Sequence, residues 1–171
     1  MRDDLRRKCI FCPSEVDSIW KSANLEGIAV TFPETQMIVD GLSIANKTLD
    51  EITAIVNLKK EWEYLFATIN EPINLNLIQD FNRLVGRDIV NRAGFLRNAD
   101  VRISGTTYKP KPPIDYEAKE TIADVLSGEN KQDVALDLML YLMRNQLFFE
   151  GNKRTSMLIA NKIFIENGRG F

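Results

Sequence analysis

The chain of 171 residues contains no histidine. The side chain best suited to general-base work near neutral pH is therefore missing, and nothing else in the sequence carries an imidazole. Cysteine is almost as scarce, with only Cys9 and Cys12 in the stretch Cys-Ile-Phe-Cys. A tetrahedral zinc site needs four ligands, and two thiols alone do not complete it. A redox CxxC accompanies a βαβ pattern, which this sequence does not show. The two cysteines are read as ordinary thiols. No apolar run approaches the length needed to span a bilayer. The N-terminal MRDDLRRKCIF is charged and lacks the apolar stretch of a signal peptide. The expectation is a cytoplasmic protein with no membrane partner. Neither charge sign dominates: 22 Lys and Arg face 24 Asp and Glu, for a net charge of -2. There is thus no broad basic face, and nucleic acid is not expected as a partner.

What is present is ordinary for a globular domain: 44% apolar and 27% charged residues. The length suits a single domain over residues 1–171. No repeat, low-complexity tract or linker interrupts it. The abrupt close in Gly-Arg-Gly-Phe is read as the end of a piece trimmed from a longer chain. Pro13 and Ser14 open a helical pattern, with Val16, Ile19, Trp20 and Ala23 on one face, that stops near Gly27. A short segment follows Pro33. Thr48 and Glu51 have the spacing of a capping box before a stripe of Ile52, Ile55, Val56, Trp62, Leu65, Phe66 and Ile69. Asn74 caps a further stripe, Leu77, Ile78, Phe81, Leu84 and Val85, which ends at Gly86. Then the period changes. Val101–Ile103 and Thr107–Tyr108, around Ser104-Gly105, are read as a small β-hairpin. Lys109 to Pro113 contains three prolines, so an open edge is expected. A helix runs from Asp115 to Gly128. After it, Val134 to Met143 is apolar nearly all round and is expected to be the central, buried helix. The fold class is mainly α.

The central helix leads into Glu150-Gly-Asn-Lys-Arg154 and a further helix. Gly151 and Asn152 both tolerate a tight turn. The first amides of the second helix point into that turn, and its macrodipole adds positive potential. Lys153 and Arg154 bring two cations, and arginine can fork onto phosphate oxygens. Together these residues make a site for a di- or triphosphate. Glu150 beside it would be repelled by phosphates unless a cation lay between, which makes it a candidate magnesium ligand. The plain alternative stays open: a turn followed by a solvated basic helix start. Basic residues there cost about 0.3–1 kcal/mol each, so two in succession ask for a reason. The turn is not a Walker A loop, since GxxxxGK[ST] does not occur.

The stretch QLFFEGNKRTSMLIANKIF, residues 146–164, resembles the active-site motif of the Fic/Doc (Fido) family, HxFx(D/E)GN(G/K)R. Phe148, Glu150, Gly151, Asn152 and Arg154 match in register. Ser22, Glu26 and Gly27 in KSANLEGIAVTFPE resemble the family's inhibitory-helix motif, (S/T)xxxE(G/N). AGFLRNADVRISGTTYKPKPP is similar to its flap. The resemblance implies a Fic/Doc-like helical fold with an inhibitory helix over 14–27, a hairpin flap over 101–110 and motif helices over 132–168. It implies ATP and Mg2+ as ligands, with AMP transferred to a Ser, Thr or Tyr hydroxyl of a target protein. Glu150 would hold magnesium. Gly151, Asn152, Lys153 and Arg154 would hold phosphates, and Glu26 would enter the site to inhibit. Val101, Arg102, Ile103, Thr107 and Tyr108 would dock the target by strand addition. The oligomeric state is open, a homo-oligomer included.

Three positions depart from the family pattern. Gln146 stands where the motif has its catalytic histidine, and a carboxamide does not titrate near neutrality. Loss of a general base costs about 10²–10⁴-fold in rate. Lys153 replaces the glycine of AMP-transferring members and resembles Doc, which binds ATP in the opposite sense and transfers a phosphoryl group. Met157 takes the place of the second arginine, the usual partner of the inhibitory glutamate. Three readings follow: an enzyme weakened at Gln146, by AMP or phosphoryl transfer; a non-catalytic nucleotide- or protein-binding module; a structural domain with an empty pocket.

Overall fold

The computed structural model describes residues 14–87, 91–103 and 105–168. Cys9, Cys12, Pro13 and Ser104 lie outside the described residues, as does the end of the chain. Two compact units are present. One takes in the described residues to Thr68 together with Gly168, and the other runs from Ile69 to Asn167.

The first unit holds α1 (Glu15–Leu25), α2 (Phe32–Val39) and α3 (Leu49–Ala67). Each begins where a side chain satisfies an orphan amide. The Ser14 hydroxyl accepts from Asp17 N, and Thr31 and Thr48 form capping boxes with Glu34 and Glu51. The Thr48 box matches the sequence reading. The segment after Pro33 is more than a connector: Thr31 caps it as a helix, with Pro33 in the first turn, where a missing N–H costs nothing. All three helices pack on one another. In α3 the buried positions are Ile55, Leu58, Glu61, Trp62 and Leu65. Trp62 Nε1 donates to Ser22 Oγ at 3.1 Å, and Trp20 Nε1 donates to Val30 O at 3.0 Å.

The second unit holds α4 (Leu75–Val85), α5 (Asp115–Leu126), α6 (Lys131–Asn145) and α7 (Asn152–Glu166). Asn74 caps α4 as its sequence implied. The expectation of a central α6 is corrected. α6 buries Val134, Ala135, Leu138 and Leu142, but Leu136 is 40% exposed and Leu140 58%. The helix enclosed nearly all round is α7, with ten of its fifteen residues buried. Polar residues hid this in the sequence. Asn152, Thr155 and Ser156 are buried, and Lys162 is fully buried, its Nζ donating to Ile69 O at 2.8 Å and pairing with Glu166. α6 lies along α7, α4 packs on α7, and α5 packs on α6.

The expected β-hairpin is also corrected. Among the described residues there is no strand, and residues 101–103 and 105–114 form an irregular loop. Gly105 does turn with φ of 79°. However, Tyr108 N donates to the Thr106 hydroxyl at 3.1 Å rather than to backbone across the turn. Prolines at 110, 112 and 113 remove ladder donors on one arm, and two short arms alone do not sustain a ladder in water. No helix among the described residues is long and apolar enough to cross a membrane.

Candidate functional site

The motif loop runs from the last turn of α6 to the first turn of α7. Gln146 is the C-cap of α6, with φ of 48°, and is the one described non-glycine residue at positive φ. A glutamine there is strained, so its surroundings must hold it. They do so from three sides. Gln146 Nε2 donates to Met143 O at 2.6 Å, Asn152 Nδ2 donates to Gln146 Oε1 at 3.1 Å, and Arg97 Nε donates to Gln146 O at 2.5 Å. The carboxamide is thus engaged at both ends within its own loop.

Asn152 closes the loop. Its Oδ1 accepts from Phe148 N at 3.0 Å, and its Nδ2 donates to Phe148 O at 2.7 Å as well as to Gln146. The side chain is 5% exposed and works as a brace. Leu147 and Phe148 point into the core, 1% and 2% exposed, and anchor the loop by burial.

Gly151 is the N-cap of α7, with φ of 74°. A Cβ there would lie 2.7 Å from Val85 Cγ1 and 3.2 Å from Asn82 Nδ2, so glycine is required by both conformation and space. No side chain caps α7, in contrast to α1, α2, α3, α4 and α6. A glycine cap of this kind leaves the helix start without a capping side chain, and a helix start is the end that favours anions. Glu150 and Lys153 are exposed on either side of the turn, and Arg154 is half-buried. Met157 is half-buried one turn on.

Two residues that shape this loop escaped the sequence reading. Asn82 of α4 is 1% exposed; its Nδ2 donates to Glu150 O at 2.8 Å and to Thr155 Oγ1 at 3.2 Å, and its Oδ1 accepts from Gly94 N at 2.9 Å. The signal was available: Asn82 sits four residues after Ile78 on the apolar stripe, where a polar side chain must find partners. Arg97, also 1% exposed, bonds to main-chain carbonyls at both feet of the 101–110 loop and at the end of α6. Burial lowers its pKa, opposed by Asp100 and Tyr108. The guanidinium remains a cation, since arginine starts so high.

In the loop itself, Arg102 and Thr107 are exposed, and Val101 and Ile103 are half-buried. Tyr108 is 38% exposed, with the Arg144 guanidinium 4.9 Å from its ring centre. Ser22, Glu26 and Gly27 belong to the first unit. Ser22 accepts the Trp62 bond, Glu26 is the C-cap of α1, and Gly27 has φ of 79°, its N donating to Asn24 O at 3.0 Å. All three thus have local roles in ending and seating α1.

A family model described as the Fic/DOC family matches residues 72–164, more than half of the chain. No curated protein sequence matches it. Among solved structures, Fic-1 (residues 134–508) from C. elegans has a TM-score of 0.75 at 20% identity, over 96% of this chain and 52% of that one. A Fic family protein from Desulfovibrio desulfuricans G20 has a TM-score of 0.66 at 16% identity, over 87% and 47%. A Fic-domain-containing signaling protein from Bacteroides thetaiotaomicron VPI-5482 has 0.66 at 19%, over 90% and 63%. The chain therefore spans less than two thirds of each of these structures. At such identities the likeness speaks for the fold, and the family model speaks for the motif region. With the glycine-headed helix, the braced loop and both comparisons in agreement, the chain belongs to the Fic/DOC family.

Proposed function

We propose that the chain binds the phosphates of ATP–magnesium at the start of α7 and belongs to the protein-modifying branch of its family, with transfer impaired at Gln146. The observation that carries this reading is the α7 N-terminus: glycine-capped, free of any capping side chain, and flanked by Lys153 and Arg154. A helix start built this way suits a polyanion.

The donor set fits the ligands. Glu150 is an exposed carboxylate beside the turn. Magnesium usually takes one or two carboxylates and completes its shell with phosphates and water, so Glu150 would hold it. When bound, the ion neutralises phosphate charge. The chain's own residues orient: the amides after Gly151 and the Arg154 guanidinium grip oxygens, and the 101–108 loop presents a target hydroxyl. Removing the hydroxyl's proton is the step left unserved. Gln146 does not titrate, and its carboxamide is already bonded to Met143 and Asn152. Lys153 favours a second reading, phosphoryl transfer in the manner of Doc, because an exposed ammonium beside the turn can draw the phosphates into another register.

Transfer from ATP labelled at the α- or γ-phosphate, with the wild type and Gln146→His, tests the proposal. Transfer by Gln146→His at a rate at least about 10²-fold above wild type is expected. The label that moves distinguishes AMP from phosphoryl transfer. Equal activity of the two proteins would show that Gln146 is not the impairment.

A further inference from the structure

Arg97 stands between the two working parts of the second unit. Its guanidinium donates through Nε to Gln146 O at 2.5 Å, through Nη1 to Ala99 O at 2.6 Å, and through Nη2 to Lys111 O at 2.6 Å, Pro110 O at 3.0 Å and Asn145 O at 3.2 Å. Its own N–H donates to Leu147 O at 2.9 Å. The acceptors fall into two groups. Ala99, Pro110 and Lys111 are the feet of the loop that carries Val101 to Tyr108. Asn145 and Gln146 are the last carbonyls of α6, orphaned by the end of the helix and lying at its negative pole.

We infer that Arg97 is a positioning residue, a strap that locks the foot of the docking loop and the Gln146 backbone into one rigid piece. This rests on the reading of 101–108 as the target-docking loop and of position 146 as the reaction centre. The physical grounds are independent of that reading. The loop has no ladder of its own, so its closure depends on what gathers its ends. Gln146 sits at positive φ, where a non-glycine residue persists only if its neighbours over-determine it. One planar fork of donors meets both needs, and no other side-chain type carries five donors in a fixed plane. Lys111 and Asn145 also line a cavity of about 370 Å3 between this loop, α5 and α6, so the same strap sets the spacing of its walls.

The test is arginine-detected 15N NMR on the intact chain, with Arg97→Lys and Arg97→Gln beside it. In the wild type, the Arg97 Nε–H is expected to give a resolved, slowly exchanging signal with hindered rotation of the guanidinium. A signal averaged by free rotation and rapid exchange would overturn the strap, and this result needs no variant to fold. In Arg97→Lys, the backbone amides of 99–109 and of 145–148 are expected to shift together, along with the side-chain NH2 pair of Gln146, while those of α1 to α3 hold. Lysine keeps the cation but cannot fork to both groups of carbonyls. If lysine preserves the wild-type shifts, Arg97 is only a buried charge. If one segment moves without the other, the two are not coupled through it. ATP–magnesium added last separates the two proposals. A wild-type spectrum indifferent to nucleotide defeats the phosphate site and leaves the strap standing. Nucleotide shifts in a chain whose Arg97 rotates freely defeat the strap alone.

Discussion

At Gly151 two demands coincide, a left-handed backbone and a gap too narrow for a methyl group against Val85. Gly151→Ala is expected to cost about 1–2 kcal/mol for the backbone alone, with more from the contact, read as a lower unfolding midpoint in urea. Asn82 is the complementary case, a buried amide that gathers Glu150, Thr155 and Gly94. Asn82→Ala is expected to lose about 1–3 kcal/mol for each buried partner left orphaned, and to open the amides of the motif loop to hydrogen exchange ahead of global unfolding. An unchanged exchange pattern would show that the loop does not depend on α4. These residues also mark what could be read in advance. Gly151, Glu150 and Arg154 are conspicuous because turn chemistry and charge are local properties of sequence. Asn152 is equally conspicuous, but its side chain proves to brace the loop, because burial at a helix start depends on what packs above it. Arg97 and Asn82 act through main-chain carbonyls and amides distant along the chain, and no local pattern announces such partners.

Helix starts are the most legible elements. Thr48 with Glu51, and Asn74, cap where their spacing says they should. Thr48→Ala is expected to cost about 1 kcal/mol, measured by thermal melts followed by circular dichroism. The same boxes carry a pH dependence. Glu51 and Glu34 lie below their ordinary value of 4.5, first because the backbone N–H of Thr48 or Thr31 bonds the carboxylate, then because the threonine hydroxyl does. A carboxyl whose folded pKa is depressed contributes fully above its unfolded pKa and loses that contribution as pH falls through the folded one. The first unit should therefore weaken as pH drops below roughly 4, and Thr48→Ala should weaken less steeply. Parallel acid profiles for the two proteins would remove the role given to that box. Other elements were misread for identifiable reasons. α6 looked central because its apolar count is high, yet Leu136 and Leu140 share a face that stays open. α7 carries the polar Lys162 and Asn152, which do not announce a central helix, yet both are buried and bonded. The hairpin was inferred from β-propensity, which without a partner sheet is too weak to order two short, proline-bordered arms.

For the whole molecule, the family is shown by the motif region and the fold, and the proposed function rests on one surface. The amides heading α7, with Arg154 and Lys153, converge where α6 and α7 meet. Around them Gln146, Asn152, Asn82 and Arg97 spend their bonds on holding the loop's shape. Under the proposed function, phosphate binding falls to the head of α7 and the proton step to position 146, so binding should survive the loss of transfer. Gln146→His should leave ATP affinity within a few-fold of wild type while restoring turnover. Isothermal calorimetry with ATP–magnesium, on the wild type and Arg154→Ala, is the most direct measurement. The account predicts saturable binding by the wild type and a loss of about tenfold or more in Arg154→Ala, in keeping with about 1.5–3 kcal/mol for a hydrogen bond to a charged group. Undetectable binding by the wild type, or equal affinity in both proteins, would contradict it.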